Sequence, residues 1–534
     1  MRKLAISCAL LTLALGAGCG EEERPPQIGS GLPRPMEGVY LDEGPADPNA
    51  GFRALMGFPT RDVAGLESAI QAMYDPASPS FRKTMSVEDW MARHAPPAED
   101  VDKVAAWITS QGMTVAVRGS NRLLFEFKGT VGQFNAAFQT TLHLYERENP
   151  SAGRPPIPVY GGVEPLIVPP EIAQLVTGVV TVDLPAEVKD LPKEGGDIVV
   201  APPENVAESL TLAQISHAYD LDEMYALGHD GAGIKLGLVV GATFKFKDMQ
   251  SFWQSFGVQR ADPVVVQTME PIATRYLETT LDTEWAAGLA PGAEVITYAG
   301  PDARNTSIVY TFNEAIARGE VSVLSSSFAH REETEAAIIH ETFNDSARMG
   351  AALGMTIAVA SGDSSMPDIP STSPYVTCVG GTKLELGADG EVVAETAWSH
   401  SGSGRARHFP TPWYQEGVIK DADGSRAVTD VAVQASSVPG YWVYYLAKWN
   451  HYGGTSFSAP VFAAFVAVIN SHRAAQGKPP VGLLNPLLYR SPEVQSAFRD
   501  VTEGKTEHFA AQPGWDYPTG WGTPDVSILA EVLP

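Results

Sequence analysis

Four short, nearly all-apolar runs constrain this chain most: residues 234–240, 295–299, 321–325 and 355–360. Each has the length of a strand and lacks the polar alternation of a half-exposed one, so each must be buried on both faces. Helical stretches separate them. That alternation predicts a doubly wound, mostly parallel α/β sheet covered by helices on both sides. At 534 residues the chain exceeds one ordinary core and has room for two or more domains.

The preceding text has a different character. Residues 20–60 are rich in Pro, Gly and Glu and read as an irregular arm. Ser86 with Asp89 looks like a helix start ahead of Trp90 and Met91. Val101, Val104, Ala105 and Ile108 recur with helical period. Residues 114–117 and 123–128 read as strands, 131–138 as a second helix and 141–146 as another strand. The pattern over 61–190 fits a small α+β sandwich of the ferredoxin-like, split βαβ kind. Residues 191–208, with Lys193, Glu194, Gly195, Gly196, Pro202 and Pro203, read as a cleavable linker, leaving 209–534 as the main domain.

The first 19 residues have the basic start, apolar run and small-residue end of a secretory signal, too short to span a membrane. Gly16-Ala17-Gly18-Cys19 is similar to a bacterial lipoprotein cleavage box, so surface anchoring by lipid and free secretion both stand as expectations. The cysteines are Cys8, Cys19 and Cys378, which leaves no disulfide framework and makes a bound metal one alternative clamp. The net charge of −26 repels phosphate backbones and excludes nucleic acid as a natural partner. The same acidity serves solubility, and it also suits a protein that works at low pH.

Three strings carry chemistry. In Gly453-Gly454-Thr455-Ser456-Phe457-Ser458-Ala459-Pro460 a tight turn feeds an apolar helix, with Ser456 at its N-terminus, where developing negative charge is favoured. A capping serine alone would explain a lone Ser; the full Gly-Thr-Ser-x-x-x-Pro string is more specific. A nucleophilic serine needs a base, yet none of the 11 histidines stands in a catalytic setting. Glu278 and Asp282 lie four apart, so on a helix their carboxyls face one way, repel, and share a proton. Solvated acids near a helix start are the plainer account of that pair taken alone. Asp363, in Ser361-Gly362-Asp363-Ser364-Ser365, follows an apolar strand, where α/β sheets place their sites. Kept protonated, it could donate to an oxyanion; an Asx-turn closing the strand is the alternative.

Taken in order, the three strings resemble the sedolisins, serine-carboxyl peptidases of subtilisin-like fold, and residues 86–184 look like the activation domain of the kumamolisin type. The resemblance implies a serine-type endopeptidase made as a zymogen, with Ser456 as nucleophile, Glu278 as its base, Asp282 supporting Glu278, and Asp363 completing the oxyanion site. Polypeptides would be its substrates and its own prodomain its inhibitor. The resemblance also implies one calcium ion near the C-terminus, held by Asp500 and Asp516 and by the carbonyls of Val501, Gln512 and Gly514. Residues 324–328 are similar to the strand that pairs with substrate. Three positions depart from the pattern: Ser365 where Gly is usual, Phe328-Ala329 where Trp-Gly is common, and Gly241 where kumamolisins carry a further acid. The departures near Asp363 and at Phe328 are what support a rival reading, a surface lipoprotein that binds polypeptide without cutting it.

Overall fold

A computed structural model describes residues 26–36, 39–147, 157–186, 209–271, 277–328 and 330–534. The signal-like leader, the linker 191–208 and Ala329 lie outside the described residues.

The apolar runs pair as their composition requires. From one edge inward, Val264–Gln267, Glu294–Ala299, Lys235–Val240, Val323–Ser326, Thr356–Ala360 and Thr377–Leu386 are all parallel. Val392–Ala397 adds an antiparallel edge along the far part of Thr377–Leu386, and Val431–Gln434 pairs in parallel with its middle, Val379 to Thr382. Through the middle runs the helix Thr455–Ala475, buried along almost its whole length. A helix apolar on every side is stable only inside a protein core. Here it packs against the strands Thr356–Ala360 and Val323–Ser326 and the helix Leu277–Leu289.

A second sheet, of six strands, precedes this one: Thr114–Arg118, Leu124–Thr130, Gly51–Gly57, Gly178–Asp183, Gln27–Ser30 and Leu166–Ile167. The helix expected after Ser86 is Val87–Arg93, with the Ser86 hydroxyl accepting from the Asp89 amide at 3.0 Å. The helix expected over 131–138 is found as Val131–Phe138. One expectation is corrected. Residues 20–60, read as an irregular arm, contribute the strands Gln27–Ser30, Tyr40–Pro45 and Gly51–Gly57. Gly51–Gly57 is central, bonded to Leu124–Thr130 on one side and Gly178–Asp183 on the other. The prolines and glycines that suggested an arm lie within these strands as well as between them, and the strands' partners are remote in sequence.

Alternation along the six-stranded sheet divides its side chains between two cores. Ala54, Met56, Phe125 and Phe127 join Val104, Ile108, Phe134 and Phe138 in a core of the sheet's own. Leu55, Leu124 and Val180 face the other way and share a core with Ile308, Phe312 and Phe343. Those last three belong to Asn305–Ala317 and Ala337–Leu353, two helices of the larger domain. Polar contacts reinforce the docking. Arg53 donates to Asp302 at 2.6 Å, Asn121 to Asn313 at 2.8 Å, Ser120 to Glu314 at 2.7 Å, and the Thr306 amide to Asp183 at 2.8 Å.

Candidate active site

The fold brings Glu278, Asp282, Asp363 and Ser456 to one place from three elements. Glu278 and Asp282 lie one turn apart on Leu277–Leu289, a helix buried from Thr279 onward. Ser456 is the second residue of Thr455–Ala475. Asp363 follows the carboxyl end of Thr356–Ala360. The site therefore sits at the carboxyl end of the parallel strands, where side chains from several loops can converge.

The Ser456 hydroxyl lies near enough to the Glu278 carboxyl to favour its ionised form, and Glu278 Oε1 is buried without a partner. Burial pushes Glu278 up to about 7; the Ser456 hydroxyl pulls the other way, and the charge on Asp363 adds to the rise. Asp282, 2% exposed, lies well above the usual carboxylate range, through burial first and repulsion from Glu278 second. The two carboxyls thus hold a proton between them at neutral pH, so the titration belongs to the pair.

Asp363 faces the start of the serine helix. Its Oδ1 accepts from the Thr455 amide and the Thr455 hydroxyl, each at 2.8 Å. Gly454, just before the helix, has φ +139°, and a Cβ there would stand 2.8 Å from Asp363 Oδ2. Only glycine serves both the backbone angle and the close approach. Asp363 keeps exposed surface in the cleft; desolvation of its carboxyl raises it, and the two Thr455 donors partly offset the rise.

Sequence reasoning missed three neighbours of the site. Thr455 appeared only as a letter in the motif. Asp368 carried no motif signal; it is half-buried with Oδ1 buried and unpartnered, and desolvation, followed by the charge of Asp363, pushes it up to about 7. Ser327 lies just past the strand Val323–Ser326 and donates to Asp282 Oδ1 at 2.6 Å. One serine in a run of three gives no signal of such a contact.

The departures have local explanations. Ser365 keeps a left-handed φ of +61°, the angle that favours glycine, and is held by bonds from its hydroxyl to the Ser399 carbonyl at 2.8 Å and from its amide to the His400 carbonyl at 3.1 Å. Phe328 packs against both cores that flank the sheet. A Cβ on Gly241 would lie 2.8 Å from Ala303 Cα, so no acid fits at that position.

Asp500 and Asp516 meet in one loop. The Gly514 amide donates to Asp500 and the Gln512 amide to Asp516, both at 2.8 Å. Asp516 is pushed up to about 6 by burial, with the charge on Asp500 adding to the rise. Among the described residues there is no cluster of three or more His, Cys, Asp or Glu side chains that could hold a metal. A cation here would draw on two carboxylates and backbone carbonyls. That all-oxygen set fits a hard ion such as calcium.

Family comparisons agree with this architecture. Residues 40–184 match the pro-kumamolisin activation domain, and residues 272–522 match the subtilase family. The chain is 27% identical to kumamolisin of Bacillus sp. (strain MN-32), over 96% of this chain and 97% of that one. It is 25% identical to sedolisin of Pseudomonas sp. (strain 101), over 89% and 85%. It is also 25% identical to human tripeptidyl-peptidase 1, over 98% of each. The solved structure of Pseudomonas sedolisin, a serine-carboxyl proteinase complexed with pseudo-iodotyrostatin, overlays with a TM-score of 0.54 at 23% identity, covering 61% of this chain and 98% of that one. That overlay speaks for the fold. Together these define a serine-type peptidase of subtilisin-like fold behind an activation prodomain. Across both domains the chain is similar to the sedolisin family of serine-carboxyl peptidases, in its kumamolisin-like form.

Proposed function

We infer that this peptidase is a secreted, acid-acting endopeptidase that processes itself from a zymogen, with Ser456 as nucleophile. The observation that carries the reading is the convergence of three elements: Glu278 and Asp282 on one buried helix, Ser456 at the start of the serine helix, and Asp363 bonded to the Thr455 amide beside it. The Ser456 oxygen attacks the scissile carbonyl while its proton passes to Glu278, and Asp282 balances the proton that the pair holds. Protonated Asp363 donates to the developing oxyanion, which also lies at the positive end of Thr455–Ala475. The C–N bond breaks as Glu278 returns the proton to the leaving amine. Water then cleaves the acyl-enzyme with Glu278 again as base.

Two protonation requirements set the working pH. Asp363 must keep its proton, and the Glu278–Asp282 pair must keep one proton rather than two. Activity then falls with rising pH as Asp363 ionises, and with falling pH as the pair takes its second proton; that limb moves below about 7 once Asp363 is neutral, because the charge on Asp363 is one of the causes that raise Glu278.

Secretion rests on the signal-like leader, with lipid attachment at Cys19 as the alternative to free release. Asp500, Asp516 and the carbonyls of Val501, Gln512 and Gly514 would hold a calcium ion that neutralises two like charges and pins the loop. Cleavage between the domains falls to the linker 191–208.

Titration of processed enzyme with a peptide aldehyde tests the reading, because only an active serine adds to the aldehyde. Stoichiometric inactivation that disappears in Ser456→Ala is expected, with internal cuts in an unfolded polypeptide. Binding without inactivation would overturn it in favour of a non-catalytic role. Release of tripeptides alone, the activity named in the tripeptidyl-peptidase relatives, would replace the endopeptidase assignment.

A further inference from the structure

One hydroxyl touches both halves of the machinery. Ser327 Oγ lies 2.6 Å from Asp282 Oδ1 and 3.1 Å from the backbone carbonyl of Ser456. Ser327 is 7% exposed, so water does not readily substitute for either contact. The second contact answers a vacancy created by the sequence. In a regular helix the Ser456 carbonyl accepts from the amide of residue 460. That residue is Pro460, inside the helix Thr455–Ala475, and proline has no amide hydrogen. The carbonyl of the nucleophile's own residue is thus left for an outside donor.

A hydroxyl has one hydrogen and can accept as well as donate. With Asp282 ionised, the Ser327 hydrogen points to Asp282. With the proton on Asp282 Oδ1, Asp282 donates to Ser327 Oγ, and the Ser327 hydrogen turns to the Ser456 carbonyl. No covalent bond forms or breaks in either state; only the hydroxyl rotates.

We propose that Ser327 is a positioning residue for the reaction: a rotor that couples the proton on Asp282 to the backbone of Ser456, using the carbonyl that Pro460 leaves open. The proposal rests on Ser456 and the Glu278–Asp282 pair acting as described above. As the proton leaves Ser456 and the pair readjusts, the hydroxyl keeps Asp282 hydrogen-bonded in either state and holds the first turn of the serine helix in place. Groups facing the rotor are Asp282 and, beyond it, Glu278 on Leu277–Leu289, with Ser456 on the serine helix; Asp363 acts on Glu278 from the third side.

The test compares wild type, Ser327→Ala, Ser327→Thr and Ser456→Ala across acidic pH, measuring peptide cleavage by processed enzyme together with thermal unfolding. Where Ser327→Ala processes too slowly to collect, the rate of self-cleavage at each pH is the readout. Loss of a hydrogen bond to an ionised group predicts a fall in kcat of about tenfold to a hundredfold for Ser327→Ala, with KM unchanged. The acid limb of the profile moves to higher pH, because Ser327 is the donor that favours ionised Asp282. Ser327→Thr keeps the hydroxyl and returns both readouts to within about threefold of wild type. On a Pro460→Ala background, where the helix supplies its own amide, Ser327→Ala costs less than on wild type. A Ser327→Ala enzyme with a lowered melting temperature but an unshifted profile overturns the proposal, as do additive effects with Pro460→Ala. If Ser456→Ala is inert while Ser327→Ala is normal, the rotor fails and the nucleophile stands. If Ser456→Ala remains active, the nucleophile assignment itself fails and the rotor with it.

Discussion

Arg53 offers a direct measure of how the prodomain is held. It lies on the central prodomain strand Gly51–Gly57, and its Nη2 donates to Asp302 Oδ1 at 2.6 Å and to Ser307 Oγ at 2.7 Å. The side chains of the pair are 4% and 10% exposed. Arg53→Met removes the cation and leaves a buried carboxylate with neutral donors, the Ser307 hydroxyl at 2.6 Å and the Arg304 amide at 3.1 Å. Breaking a buried ion pair from one side costs about 3–5 kcal/mol. The two remaining donors favour the lower end, and about 3 kcal/mol corresponds to roughly a hundredfold shift toward the undocked prodomain. The assay is peptide cleavage by the intact zymogen, read before any processed band appears on a gel. Arg53→Met should raise that leak about a hundredfold, and Asp302→Leu placed on top should recover much of the loss, since no buried charge is then left unpaired. A leak within about threefold of wild type would refute the reasoning.

Other expectations follow from single sites. Asp430 is fully buried, bonded to Arg426 at 2.7 Å, the Cys378 amide at 2.7 Å and the Tyr489 hydroxyl at 2.8 Å. Asp430→Ala should therefore cost about 3–5 kcal/mol in a denaturant titration or abolish folding. Glu335 is pushed up from 4.5 to about 7, chiefly by burial, so the folded protein keeps a proton that the unfolded chain gives up across that window. Zymogen stability should fall as pH rises from about 4.5 to 7, by up to about 1.4 kcal/mol per pH unit from this group. Glu335→Gln should flatten that slope in calorimetry at the two pH values. Chelation of calcium should lower the melting temperature of wild type and leave Asp516→Ala, already lowered, without further change.

The sequence made the catalytic domain legible because strands buried on both faces must be apolar throughout, which marks them without an alignment. The four acid and serine residues were legible because each sits in a short string whose order and spacing are unusual. The prodomain core strand Gly51–Gly57 was obscured: it is flanked by prolines and glycines, and its partners lie over 60 residues away on one strand and over 120 on the other. Ser327 and Asp368 were beyond reach for a different reason. Nothing local distinguishes a serine that touches a buried carboxylate from its neighbours Ser325 and Ser326, whose hydroxyls are buried without partners. Arg53 likewise reads as a surface cation until its partner, 249 residues on, is placed beside it.

Central to the account is a glutamate that takes the proton of a serine without an imidazole. The acylation rate constant of processed enzyme, measured by stopped flow at the pH optimum for wild type and Glu278→Gln, tests it most directly. General-base loss predicts a fall of about 10²–10⁴-fold. Acylation by Glu278→Gln within tenfold of wild type would contradict it.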